Sequence, residues 1–76
     1  IEWDWKAAET ALRLSVDLDP SNASAHRVLG HALSQSGRQA EAEEQYKVVL
    51  LLDPRNEAAL SGMHRIKPTE FPELHP

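Results

Sequence analysis

The chain contains no cysteine, which excludes disulfide cross-links and thiolate metal sites as sources of stability. It contains no apolar run near the roughly 18 residues that a membrane span needs, and no charged and then apolar leader opens it. It lacks an excess of positive charge. The formal net charge is -4, whereas nucleic acid and anionic lipid attract basic faces. It also lacks a phosphate-cradling glycine loop, a dinucleotide fingerprint and any nucleophile motif. These absences point to a soluble protein with no nucleic-acid or membrane partner and no cofactor, and nothing in the residues supports an enzyme. A lack of cysteine fits the cytoplasm and exported proteins alike, so the compartment stays open, with the cytoplasm as the default expectation.

What is present is a repeat. Shifting the sequence by 34 residues brings Leu18-Asp19-Pro20-x-Asn22-x-x-Ala25 onto Leu52-Asp53-Pro54-x-Asn56-x-x-Ala59. The same shift places Ala8 on Ala42, Glu9 on Glu43, Leu12 on Tyr46, Val16 on Leu50 and Leu29 on Met63. Apolar positions and turn positions therefore repeat together. A chain of 76 residues holds one small domain whose core is marginal. Because the chain starts at Ile1 in mid-repeat, it reads as a segment of a longer protein.

Four helices are expected. Over 4–18, Trp5, Ala8, Ala11, Leu12, Ser15, Val16 and Leu18 recur at three- and four-residue spacing, as on one helical face. Pro20 cannot continue a helix and disfavours helical geometry at Asp19. Asn22 is suited to cap a second helix over 23–36, with Ala25, Val28, Leu29, Ala32 and Leu33 inward. Gly37 stops it, since a left-handed stop is least costly for glycine. The third helix spans 39–52 with Ala42, Tyr46, Val49 and Leu50 at core spacing, and ends before Pro54. Asn56 caps a fourth over 57–67, which Pro68 ends. Gly30, Ala32 and Ala42 let helices approach closely. Ala59, Leu60 and Met63 are expected to close the outer face of the third helix. Beyond that, Pro68, Pro72 and Pro76 with only Phe71 and Leu74 as large apolar groups make 68–76 an extended or disordered tail.

A period of 34 residues with His26-x-x-Leu29-Gly30-x-x-Leu33, Ala42-x-x-x-Tyr46 and Pro54 resembles the tetratricopeptide repeat family. The resemblance covers about residues 3–67. It implies an all-α chain in which antiparallel helical hairpins stack as a short right-handed solenoid, with one full repeat at 23–56 and half a repeat on either side. Against the family pattern, His26 replaces an aromatic, Leu33 a tyrosine and Val49 an alanine, each keeping a space-filling group. Trp3 stands where the family's turn glycine falls, and Pro68 comes about one turn early. Trp5 occupies a position where the family packs an aromatic, while Trp3 reads as a capping or binding residue.

Four histidines raise the question of a metal. His26 and His31 are the closest pair, but five residues at about 100° each leave them about 140° apart on a helix. They cannot share a metal as an i, i+4 pair can, so His26 is expected to fill the aromatic slot and His31 to lie on the concave face. Glu41, Glu43 and Glu44 spread over a solvated face, which suits solubility better than acid–base work.

By resemblance, the first helix of each repeat lines a concave wall that binds a protein or peptide segment. The groove positions are Ser24, Arg27, Val28, His31, Ser34 and Gln35 in the full repeat, and Ala58, Ser61, Gly62 and Arg65 in the next. Arg27 and Arg65 are the expected anchors, since guanidinium groups bind carboxylates bidentately. Some family members hold a terminal carboxylate with lysines, asparagines and an arginine. His31 and Gly62 stand where that set needs an asparagine and a basic residue, so that activity is not carried over. The alternative is a structural spacer or self-association segment of a larger, catalytic or signalling protein, favoured by the small Ala58, Ser61 and Gly62. With so few repeats, open ends at Ala8, Leu12 and Ser15 and at Leu60 and Met63 are expected to drive self-association. The tail, through Phe71 and Leu74, is the alternative cover for the second end.

Overall fold

Asp4 opens the first helix: its carboxylate accepts from the backbone N–H groups of Lys6 and Ala7, each at 3.1 Å. This satisfies two of the donors that a helix start leaves free. The computed structural model describes residues 4–68 and contains α1 (Trp5–Leu18), α2 (Ala23–Gln35), α3 (Gln39–Leu52) and α4 (Glu57–Ile66). The expectations for Trp3, for the side chain of Trp5 and for the tail carrying Phe71 and Leu74 lie outside what is described. The helix ends differ from the sequence reading by single residues: Asp4 caps instead of joining α1, and Ser36 and Lys67 are C-caps.

The same turn is built twice, 34 positions apart. In the first, Asn22 N–H donates to the Asp19 carbonyl at 3.0 Å, and Asn22 Oδ1 accepts from Ala25 N–H at 3.1 Å. In the second, Asn56 N–H donates to Asp53 at 3.0 Å, and Asn56 Oδ1 accepts from Ala59 N–H at 2.9 Å. The proline between them stops one helix and the asparagine starts the next. The α2–α3 turn uses different chemistry. Gly37 takes φ 83°, a left-handed conformation that costs glycine little. Gly37 N–H then reaches the Ser34 carbonyl and Arg38 N–H the Leu33 carbonyl, at 3.1 and 2.9 Å, which closes the end of α2 as a Schellman motif.

These turns make consecutive helices antiparallel, so the fold is an all-α stack of helical hairpins. The core is Leu29, Leu33, Ala42, Tyr46, Val49, Ala59 and Met63, contributed by α2, α3 and α4. Leu12, Val16, Ala23, Leu50 and Ile66 pack against it half-buried. Two expectations are corrected. Ala11 and Leu18 of the expected apolar face are exposed, Leu18 at 78%, because among the described helices the backbone of α1 lies close to α2 alone and has one covered side; Val28, expected inward, is likewise 39% exposed. Met63 is fully buried, because α4 packs against α2 as well as α3. The large apolar side chains left open on α1 and α3 are Leu14, Leu18, Leu51 and Leu52.

Polar side chains join α1 to the start of α3. Arg13 pairs with Glu9 at 2.7 Å and with Glu41 at 2.8 Å, while Arg38 pairs with Glu41 at 2.6 Å and also with Glu9. The four charges form a closed ring of alternating sign. The Arg13 hydrogen bond lowers the Glu9 pKa, and the Arg38 hydrogen bond lowers that of Glu41. Glu43 is lowered by Lys47 and then Lys67, a pairing that ties the end of α4 to α3. The cations and Glu41 are well exposed while Glu9 and Glu43 are largely covered, and pairs with one solvated partner orient helices more than they stabilise them.

Candidate functional site

Tyr46 organises the wall between α2 and α4. Its ring is 2% exposed and lies in a slot whose two sides are glycines from different helices. A Cβ on Gly30 of α2 would stand 3.0 Å from Tyr46 Cε1, and one on Gly62 of α4 would stand 2.6 Å from Cζ. Real Cβ atoms do not approach so closely, so the ring fits only because both side chains are missing. The expectation that Gly30 faces the neighbouring helix therefore holds. Gly62 is corrected: it is a buried wall of the slot and not an open groove position.

Each helix that lines the slot carries an arginine one turn from its glycine. Arg27 lies three residues before Gly30, and Arg65 three residues after Gly62, so each shares a helical face with its glycine. Burial raises the Tyr46 hydroxyl above the usual tyrosine range, and the charges of Arg65 and Arg27 pull it back down. Among the described residues, neither arginine makes an ion pair and the hydroxyl has no hydrogen-bond partner, yet no side-chain polar atom is sealed in unsatisfied. The hydroxyl therefore opens to solvent. Arg13, Arg38, Lys47 and Lys67, by contrast, are all held by carboxylates.

Charge is segregated between the two sides of the stack. Helix α2 carries no acidic residue, and α4 carries only Glu57 in its first turn. The acids Glu9, Asp17, Glu41, Glu43 and Glu44 are on α1 and α3. Most of the uncompensated negative charge of the helices therefore lies on α3, and α2 and α4 are close to neutral.

The other expected groove residues divide. Ser24, His31, Gln35, Ala58, Ser61 and Arg65 are exposed, Val28 is 39% exposed and Arg27 is half-buried. Ser34 is engaged with the turn: its Oγ is 3.3 Å from Gln39 Oε1, and Gln39 Nε2 donates to the Ser34 carbonyl at 3.3 Å. His26 is buried at the base of the hairpin and not at the wall. Its Nε2 lies 2.8 Å from the Pro20 carbonyl and its Nδ1 2.8 Å from Gln45 Oε1. A carbonyl only accepts, so Nε2 carries a proton, and the Gln45 amide can turn to suit either state of Nδ1. His26 therefore joins α2 to α3 and to the preceding turn, while His31 is exposed elsewhere on α2. Among the described residues no group of three His, Cys, Asp or Glu could hold a metal ion, and no helix is long and apolar enough to cross a membrane. A recess on the far side, lined by Lys6, Glu9, Thr10, Ser36 and Arg38, mixes both signs of charge and has Arg38 committed to carboxylates.

The partner of Tyr46 at Gly62 was missed by sequence reasoning, though a signal exists. The 34-residue shift sets Gly62 on Val28 and Tyr46 on Leu12. One position shrinks where the other grows.

No family model matches this chain, and no solved structure matches it significantly. Similarity to curated proteins covers most of the chain. A Protein O-mannosyl-transferase of Caenorhabditis elegans is 33% identical over 64 residues, spanning 84% of this chain and 9% of that protein. Anaphase-promoting complex subunit 7 of Homo sapiens and of Mus musculus is 38% identical over 47 residues, spanning 62% of this chain and 8% of each relative. The chain thus spans less than a tenth of the length of the curated relatives it matches, and the likeness is confined to one segment of each.

Proposed function

We propose that this chain is a helical-repeat interaction module of tetratricopeptide type, which binds a segment of another protein along the wall formed by α2 and α4. The observation that carries the reading is the Tyr46 slot. By using glycine on both α2 and α4, it lets these two helices pack on the same ring and so form one continuous wall. Among the described residues Arg27 and Arg65 contribute no ion pair, so neither is committed to holding the fold. The comparisons support an interaction role of this kind. Similar segments occur in a transferase and in a subunit of a multiprotein complex, so what the relatives share is a building block and not one chemistry. Repeats of this kind expose an extended surface on one side, and the residues available here are Ser24, Arg27, Val28, His31, Ser61 and Arg65.

Panning a displayed peptide library against the chain, followed by amide-resonance mapping of the best peptide, tests this. The expected shifts fall on Arg27, His31, Ser61 and Arg65, with Leu14, Leu18 and Leu51 unmoved. Selected peptides that map to the outer faces of α1 and α3 would place the interaction surface there and defeat the reading.

A further inference from the structure

We propose that the uncovered face of α1 is an association surface for a second copy of this chain, the two α1 helices pairing antiparallel about a two-fold axis. This surface is separate from the α2/α4 wall and does not rest on it.

The residues of α1 sort into three arcs. At about 100° per residue, Leu12 and Val16 share the side that packs against the core. Lys6, Glu9, Arg13 and Asp17, which are all of the charges of the helix, occupy an arc of about 80° beside them. Ala7, Ala8, Ala11, Leu14, Ser15 and Leu18 fill a third arc of about 120°, with Leu14 at 59% and Leu18 at 78% exposure. No charge of α1 falls within it. Its one polar side chain is already answered, since Ser15 Oγ donates to the Ala11 carbonyl at 3.1 Å, so covering it strands no donor.

The repeat marks this face as one that packs. Thirty-four residues on, the same positions of α3 include Ala42 and Val49, both buried, and Gln45, whose Oε1 lies 2.8 Å from His26 Nδ1 of α2. On α1 nothing among the described residues takes the place of α2. Ala11 stands where Gln45 answers the histidine, so α2 of a second copy would bring that nitrogen to a position with no polar partner. A like apolar face has no such fault.

The shape of the face selects the arrangement. Its N-terminal half is small, with Ala7, Ala8 and Ala11, and its C-terminal half is large, with Leu14 and Leu18. Antiparallel pairing sets Leu18 of one copy over Ala7 of the other and Leu14 over Ala11, so that large side chains fill the spaces above small ones. Parallel pairing sets leucine on leucine and alanine on alanine. The other end of the stack offers no competing surface. Where α2 has Gly30 and Leu33, α4 has His64 and Lys67, and Lys67 is paired with Glu43 at 3.4 Å. Association therefore closes at two copies and does not extend as a chain. A helix of 14 residues is about 21 Å long and about 10 Å wide, so the pair buries less than the roughly 1,200 Å² of a standard interface. It is a concentration-dependent dimer. Each copy carries a net charge of -4, so salt screens their repulsion and tightens the pair.

The test is sedimentation equilibrium of the full 76-residue chain from about 10 μM to about 1 mM, a range that brackets a weak pair. Monomer is expected to give way to dimer and to nothing larger, with amide shifts of Ala7, Ala11, Leu14 and Leu18 that follow the dimer fraction. Ala11→Glu puts a charge at the centre of the face and should weaken dimerisation at least about tenfold. Its thermal midpoint at low concentration should stay near that of the parent, because Ala11 is exposed and glutamate is a good helix former. Leu51→Glu, at an exposed position of α3, should leave dimerisation unchanged. A chain that is monomeric throughout overturns the proposal. So do dimers that survive Ala11→Glu, concentration-dependent shifts that fall on α4 instead, species larger than the dimer, and a dimer that salt dissociates. A dimer that persists on dilution, as helix exchange would give, overturns it too.

Discussion

Replacing Tyr46 with alanine is expected to remove most of the folding stability. The ring is the largest side chain in the core shared by α2, α3 and α4, and its two faces are closed by backbone at Gly30 and Gly62. Truncating a buried aromatic side chain costs about 3–5 kcal/mol, because transfer energy is lost and the cavity does not collapse fully. Collapse is hindered here, since glycine has no side chain with which to fill the space. A chain of 76 residues has a total stability on the order of 4–11 kcal/mol. Tyr46→Ala should therefore lower the thermal midpoint by more than about 12 °C, at roughly 4 °C or more per kcal/mol for a domain of this size. Tyr46→Phe should stay close to the parent, because the hydroxyl makes no internal hydrogen bond. Thermal melts followed by circular dichroism decide the matter, and a Tyr46→Ala midpoint within a few degrees of the parent would show that the ring does not brace the stack.

Leucine at either glycine is expected to cause the second large loss, through the opposite fault. The Gly62 Cβ alone would lie 2.6 Å from Tyr46 Cζ and 2.7 Å from Cε2, and three further carbons follow it toward the ring. The ring has little room to retreat, because a Cβ on Gly30 would also stand only 3.0 Å from Cε1, so α2 is close to the same ring. Overpacking of this kind costs about 1–3 kcal/mol, whereas removing a glycine from a helix interior returns up to about 1 kcal/mol. Strain therefore outweighs propensity, and more so at Gly62 than at Gly30. Urea unfolding of Gly62→Leu and Gly30→Leu should show reduced midpoints in that order. Combining Gly62→Leu with Tyr46→Ala should be less damaging than the sum of the two, because the leucine then occupies the vacated slot. Additive losses would mean that the two residues do not meet.

The features legible in the sequence are those with short-range causes. Pro20 and Pro54 stop helices, Asn22 and Asn56 cap them, and Gly37 closes α2, each through bonds to residues within about one turn. The repeat of 34 residues then fixes which helices are equivalent, and with that the hairpin stack. Gly30 was legible as a close-approach residue because it belongs to the full repeat. Gly62 was not, because its counterpart Val28 is partly exposed, and equivalence alone places both on the open wall. Only the exchange of Leu12 for Tyr46 one repeat later makes room at Gly62 necessary. Leu18 and Met63 were misplaced for a related reason. Their burial depends on how many neighbours each helix has, and periodicity along one helix does not report that. The ring of Glu9, Arg13, Glu41 and Arg38 depends on where the turn after α2 delivers Arg38, which residue spacing along the chain does not specify.

Tyr46 of α3 packs against both Gly30 of α2 and Gly62 of α4, and so holds three helices at one point. The most direct measurement is a nuclear Overhauser spectrum of the selectively labelled chain, read at the Tyr46 ring protons. Strong cross-peaks are expected to the α-protons of both Gly30 and Gly62. A ring that contacts Gly30 but gives no cross-peak to Gly62 would contradict this, since α4 would then not share the slot and the wall would not exist.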